Sequence, residues 1–142
     1  MKLKVAWVGR TKEAAIDSLT QEYLKRISRF AQVEGISLRD EDALLQLRKR
    51  TNQKLVLLDS RGKQLSSEEF ASFLGEHESR GSHLLFAVGP ADGFSDHARR
   101  AADSTLSLGK ITLAHELARV VLLEQIYRGF TILKGHPYHQ GH

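Results

Sequence analysis

Side chains able to accept, donate or hold a proton crowd the end of this chain, with His136, Tyr138, His139 and His142 in the run GHPYHQGH. They follow an apolar helical pattern in which Leu117, Val120, Leu123, Ile126, Tyr127, Phe130 and Leu133 recur. Gly135 is a natural helix stop and Pro137 forbids helical continuation, so the cluster is presented just beyond a well-packed helix. Three readings are open on the residues alone. His136, His139 and His142 could ligate a metal, although Pro137 breaks any face that would align them and no thiolate or carboxylate stands close by. They could be solvated histidines without a role. Or they handle a substrate, with His139, and less readily Tyr138, accepting a proton or ordering the group that does.

The helix before the tail carries Arg119 and Arg128, too far apart along it to serve one spot. Arg128, nearer the tail, is the candidate for a phosphate or base contact, while Arg119 is expected to pair with a carboxylate. Glu124 is expected to pair with Arg128 at i, i+4. His115 reads as a structural first-turn residue, and His77, His83 and His97 as surface residues. Upstream, three loops stand where strands should end: LLDSRG at 57–62, LLFAVGPADG at 84–93 and SLGKITLAH at 107–115. There is no G-x-G-x-x-G and no G-x-x-x-x-G-K-[ST], so dinucleotide and P-loop readings both fail. Ligands of open α/β sheets sit outside the carboxyl ends of the strands. Loops converging there would form a pocket of backbone amides and small apolar side chains that suits an adenine ring.

The elements that must position these groups alternate. Strands are expected at 3–8, 33–38, 54–59, 83–88 and, more weakly, 105–108; helices at 13–30, 42–50, 67–79, 96–102 and 115–133. The pattern predicts an α/β fold, a mostly parallel sheet with helices on both faces, in one domain spanning 1–142. The first helix places Ile16, Leu19, Tyr23, Ile27 and Phe30 on one face. Ser66 three residues before Glu69 signals a capping box. The last helix is apolar on more than one stripe, which implies burial on two sides. In so small a domain the second side is most simply another copy, hence a homodimer, with a central core helix of a monomer as the alternative.

Bulk properties bound the rest. Net charge is +4 with a pI near 9.5, compatible with a phosphate-rich partner, but the basic residues are dispersed rather than gathered in an arm. The absence of cysteine excludes disulfides and thiolate metal sites. MKLKVAWVGRTK is neither a secretory leader nor a membrane span, so a cytoplasmic location without membrane contact is expected.

HELARVVLLEQIYRGFTI followed by GHPYH resembles the C-terminal signature of the small SPOUT-class methyltransferases that modify N3 of a pseudouridine in bacterial 23S ribosomal RNA. KLKVAWVGRTK, LVLLDSRGKQLSSEEFA, LLFAVGPADGFS and LSLGKITLAHELARVVLLEQIYR extend the likeness over nearly the whole chain, most specifically in the last blocks. The resemblance implies a C-terminal trefoil knot (the alpha-beta knot), a homodimer, and S-adenosyl-L-methionine as cofactor. It implies a 23S rRNA stem-loop within the assembled ribosome as substrate, and no metal. Cofactor contacts carried over fall on Leu58 and Gly89 and on the loop Leu108, Gly109, Lys110, Ile111, Thr112 and Leu113. Tyr138, His139 and Arg128 are the catalytic candidates, because the N3 proton of a uracil-type base must leave as the methyl group arrives; Tyr138 could also stack on that base. Two departures stand out. Pro90 replaces the second glycine of the family's strand-end turn, removing a backbone donor, and the chain is shorter between Leu38 and Lys54. Pro90 keeps open a non-enzymatic alternative, a ribosome-associated RNA-binding protein on the same knotted fold.

Overall fold

Period-two and helix-period segments take turns along the chain because the sheet is built by crossover connections. The computed structural model describes residues 1–140. In order these form β1 (Lys2–Val8), α1 (Ala14–Ile27), β2 (Gln32–Leu38), α2 (Glu41–Arg50), β3 (Lys54–Gln64), α3 (Ser67–Ser79), β4 (Leu84–Val88), α4 (Asp96–Ala101), β5 (Ser104–Ser107) and α5 (His115–Leu133). The strand order is β2-β1-β4-β3-β5, and every neighbouring pair is parallel. The α/β reading therefore holds. β4 reads LLFAV and is buried throughout, as befits a central strand covered on both faces.

Alternation within the strands sorts two cores. Leu3, Val5, Trp7, Val56 and Phe86 face α1, α3 and α5, where they meet Ile27, Phe70, Leu74, Leu123 and Phe130. Ala6, Leu55, Leu57 and Leu85 face α2 and α4, against Leu44, Leu47 and Ala98. Caps fix the helix starts: Asp40 accepts from Ala43 N–H, Ser95 from Ala98 N–H, and Ser66 with Glu69 forms the expected capping box. Gly135 takes φ +72° as α5 ends, and His136 N–H turns back to Thr131 O at 2.9 Å.

Several expectations change. α1 stops at Ile27, and the turn after it brings Phe30 onto Phe130, ring centroids 5.8 Å apart. Leu19 faces solvent, 42% exposed, because Thr20 takes the buried position and satisfies its hydroxyl on Ile16 O at 2.7 Å. α5 is indeed covered on two sides, but α1 and α3 of the same chain supply much of that cover. What stays open is a narrow stripe with Leu117 45% exposed. His77 is not a free surface residue: its ring meets Phe73 edge-on at 4.7 Å and burial pushes its pKa down. His83 Nδ1 accepts the Lys2 backbone N–H, while His97 is exposed as expected. Among the described residues, no helix is long and apolar enough to cross a membrane.

The largest departure is in β3. The expected turn at 57–62 is instead a continuation of the strand, which shifts register after Leu58 and pairs again with β5, Lys63 opposite Leu106 and Gln64 opposite Ser107. Gly62 makes this possible: a Cβ there would lie 2.6 Å from the Leu106 carbonyl carbon and 2.7 Å from its nitrogen. No L side chain fits so close to backbone. Gly62→Ala should therefore push β3 off β5 and cost about 1–3 kcal/mol, read as a lower midpoint in urea with an unchanged slope.

Candidate active site

Helix geometry places Leu117, Val121, Glu124 and Arg128 along one face of α5, and that face leads to the tail. A carboxylate half-sunk among apolar residues is costly unless donors surround it. Glu124 has them. Its Oε2 receives Arg128 Nη2 at 2.7 Å, Arg128 Nε at 3.2 Å and the Tyr138 hydroxyl at 2.7 Å, and its Oε1 receives Gln125 Nε2 at 2.9 Å. The i, i+4 pair read from the sequence is thus present and largely shielded, its side chains 15% and 20% exposed.

The tail folds back onto this group. The Tyr138 ring packs edge-on against Tyr127 at 4.7 Å, and the Arg128 guanidinium lies over it at 5.0 Å. His139 is held at both nitrogens, Nδ1 by Arg128 Nη1 at 3.0 Å and Nε2 by Glu68 Oε1 at 2.9 Å. A guanidinium has no acceptor, so Nδ1 must accept and Nε2 must carry the proton that goes to Glu68. Arg128, Tyr138 and His139, the three catalytic candidates, are therefore in mutual contact. His136 contributes only a local acceptor for the Tyr138 backbone N–H, and His142 lies outside the described residues.

The ionisable groups of this cluster shift one another. Burial alone would raise the Glu124 carboxyl, but the hydrogen bonds from Arg128 and Tyr138 outweigh it and hold the group below its usual range. The bond to Glu124 raises Arg128 in turn. Tyr138 is pushed well above an ordinary phenol, by burial first and then by the Glu124 carboxylate and the neighbouring Tyr23. It remains a neutral donor, which disfavours it as the proton acceptor considered in the sequence reading. Glu68 is held low by its own backbone N–H and by His139.

Beside this group lies a cavity of about 310 Å³, at the small end of the range for small-molecule sites. Leu58 of β3, Leu106 to Leu108 of the β5 end, Leu65 and Ser66 before α3, Ser67 and Phe70 of its first turn, and Val121, Leu122 and Gln125 of α5 form its walls. Of the three expected loops, that at 107–115 reaches the wall, the segment 57–62 contributes Leu58 as strand, and 84–93 contributes nothing. Of the predicted cofactor residues, Leu58 and Leu108 line the space; Gly109, Lys110, Ile111, Thr112 and Leu113 continue beyond the wall, Ile111 being 82% exposed. Ser107 ties the loop's first turn, accepting from Gly109 N–H and donating to its carbonyl. Gly89 is also off the wall, at the end of β4 against Phe94, whose ring a Cβ would meet at 3.0 Å. A slightly larger cavity, about 380 Å³, opens at the opposite, N-terminal ends of the strands near Lys2, Gln53 and His83.

Sequence reasoning missed Ser67, Glu68 and Gln125. Ser67 Oγ donates to Gln125 Oε1 at 2.7 Å, joining the cavity wall to the Glu124 cluster. The capping-box signal was the available clue, since it put the start of α3 at the carboxyl end of β3. Arg119 corrects another expectation. It is 1% exposed and pairs with no carboxylate among the described residues; Nη1 donates to Thr11 Oγ1 at 2.8 Å and Thr20 Oγ1 at 3.3 Å, and the guanidinium covers Trp7 at 4.0 Å. It clamps the β1–α1 loop. Among the described residues no group of three His, Cys, Asp or Glu side chains could hold a metal ion.

A parallel sheet with a cavity at its strand ends, walled on one side by α5, has the form of a small-molecule site of an α/β protein, and sequence comparison supplies the family. The model for the predicted SPOUT methyltransferase family matches residues 1–139, and the chain belongs to that family. It is 58% identical to a ribosomal RNA large subunit methyltransferase H of Koribacter versatilis, covering all of both chains. It is 43% identical to the protein of that name from Geotalea daltonii, over 98% of this chain and 99% of the other. Among solved structures, a probable methylase family protein from Haemophilus influenzae Rd KW20 aligns with TM-score 0.63 at 9% identity, over 96% of this chain and 69% of that one. The SpoU methyltransferase AviRb from Streptomyces viridochromogenes, in complex with AdoMet, aligns with TM-score 0.53 at 15% identity, over 88% and 56%.

Removing the shared acceptor should free the tail. Glu124→Ala is expected to cost about 1–3 kcal/mol and to speed proteolysis after residue 135. Because the Glu124 pKa is depressed, its contribution is full above the ordinary value of 4.5 and is lost as pH falls through the lower folded value. The protection that Glu124 adds, read as the difference in tail cleavage between the unsubstituted protein and Glu124→Ala, should stay flat from neutral pH down to about 4.5 and shrink only below it.

Proposed function

We propose that this chain is an S-adenosylmethionine-dependent rRNA methyltransferase. In this reading it acts in the cytoplasm as a homodimer on N3 of a pseudouridine in a 23S rRNA stem-loop of the assembled ribosome. The observation that carries the reading is the closed cluster of Glu124, Arg128, Tyr138 and His139 held against the rim of a cavity at the strand ends. The near full-length likeness to proteins named for large-subunit rRNA methylation supports it.

The cavity's donor set fits the cofactor. Leu58, Phe70, Leu106 and Leu108 give flat apolar walls for an adenine ring, and Ser67, Ser107 and Gln125 supply hydroxyl and amide groups for its polar edges. The loop 108–113 would wrap this ligand as the family's trefoil knot. When bound, S-adenosylmethionine supplies an already activated sulfonium methyl group. What remains for the protein is to align N3, exclude water and manage one proton. Arg128 is the group to engage a substrate phosphate or carbonyl, and Tyr138 offers a neutral hydroxyl and a ring face. His139 is the proton acceptor. The exposed apolar side chain of Leu117 on α5 is the group to meet the second copy. The non-enzymatic alternative draws only on Pro90, which lies outside the cavity wall.

Deletion of residues 136–142 is expected to abolish methylation of ribosomes while leaving calorimetric binding of S-adenosylmethionine within about threefold. Unchanged methylation would remove the tail from the reaction, and mass spectrometry of rRNA from cells lacking the gene would identify the modified base. Leu117→Glu should shift sedimentation from dimer to monomer; an unaltered dimer would place the interface elsewhere.

A further inference from the structure

His139 is gripped at both ring nitrogens, and the two grips are unlike. Arg128 donates to Nδ1 from a helix face that also serves Glu124. Glu68 accepts from Nε2 out of the first turn of α3, 71 residues away, next to Ser66 and Ser67 of the cavity wall. A carboxylate behind a histidine fixes which nitrogen carries the proton, aims the ring, and stabilises the cation that forms when the other nitrogen takes a proton. Glu68 suits that task. Its carboxylate is held in the ionised form by its own backbone N–H as well as by His139. Its side chain is 65% exposed, so the fold does not need it.

We propose that Glu68 is a positioning residue for the reaction, forming a dyad with His139 that leaves Nδ1 as the working base. The inference rests on the substrate reading above. Arg128 caps Nδ1 while the site is empty of substrate. Its displacement toward substrate exposes the Nδ1 lone pair. The N3–H bond then breaks, its proton bonds to Nδ1, and the electron pair stays on N3 for methylation. The resulting imidazolium keeps its Nε2–H on the Glu68 carboxylate, so charge is separated no further than one hydrogen bond.

The dyad predicts a pattern that loss of folding would not produce. Glu68→Ala should lower kcat for ribosome methylation about tenfold or more without changing the melting temperature or S-adenosylmethionine affinity. Glu68→Gln, whose amide oxygen still accepts from Nε2–H, should recover part of that loss. In nitrogen-15 spectra of the ligand-free protein, the His139 Nε2–H resonance should be slow to exchange in the unsubstituted protein and in Glu68→Gln, and broadened away in Glu68→Ala. A kcat within twofold in Glu68→Ala, or an Nε2–H signal that persists there, would overturn the dyad. Failure of the unsubstituted protein to methylate ribosomes would instead sink the substrate reading, and the nitrogen spectra report on the dyad independently of it.

Discussion

One carboxylate organises the C-terminal end of the described residues. Glu124 sits in a helix whose neighbours, Leu122, Leu123 and Ile126, are all buried in the core. A charge in that setting is tolerated only when its lone pairs are filled, and the filling groups come from three places: the next residue, the next helical turn and the tail. The requirement runs both ways. Residues 136–140 follow a left-handed glycine and include a proline, so they form no regular ladder of their own. Their order comes from what Tyr138 and His139 reach on α5 and α3. Satisfying Glu124 and ordering the tail are one event.

The arrangement explains why some features could be read from the sequence and others could not. Element identities followed from local periodicity, and the Glu124–Arg128 pair from i, i+4 spacing on a single helix; neither needs knowledge of the fold. The tail was visible because proton-handling side chains after a helix stop are uncommon. The β3 extension was invisible for a physical reason. DSRGKQ has the composition of a turn, and it is strand only because β5 offers a second ladder and Gly62 lets the two backbones approach. Arg119 misled in the same way. Its hydroxyl and indole partners come from β1, the following loop and α1, 99 or more residues away for the two threonines, and no spacing rule encodes them. Glu68 looks like an ordinary acidic residue in a helix's first turn until the tail arrives beside it.

Arg119 and Arg128 also show how burial divides two arginines of one helix. Desolvation lowers the Arg119 pKa, and Glu116 and Asp17 only partly offset it from a distance. Its packed guanidinium is committed to holding the β1–α1 loop against α5, together with Glu116, which accepts the Lys12 backbone N–H at 2.8 Å. Arg128 is instead raised by a direct bond to a carboxylate and is shielded beside it, its side chain 15% exposed. A buried clamp and a carboxylate-paired charge beside the tail are therefore separated by a little over two helical turns.

The cavity and the tail are joined by a continuous set of hydrogen bonds: Ser67 to Gln125, Gln125 to Glu124, Tyr138 and Arg128 to Glu124, and Arg128 to His139. A ligand that takes the Ser67 hydroxyl competes with Gln125 for it, and any turn of the Gln125 amide changes how many donors Glu124 receives. A substrate anion that draws Arg128 outward removes the cap on His139 Nδ1 and weakens the same carboxylate's shell from the other side. Glu124 can lose one donor and keep Tyr138. Losing two would leave a half-buried charge without adequate pairing, at a cost of the order of a few kcal/mol. The geometry thus favours keeping Gln125 on Glu124 when Arg128 is drawn away, with Tyr138 in place throughout. Tyr138 is the donor best suited to stay, since it is a neutral phenol whose ring is locked against Tyr127.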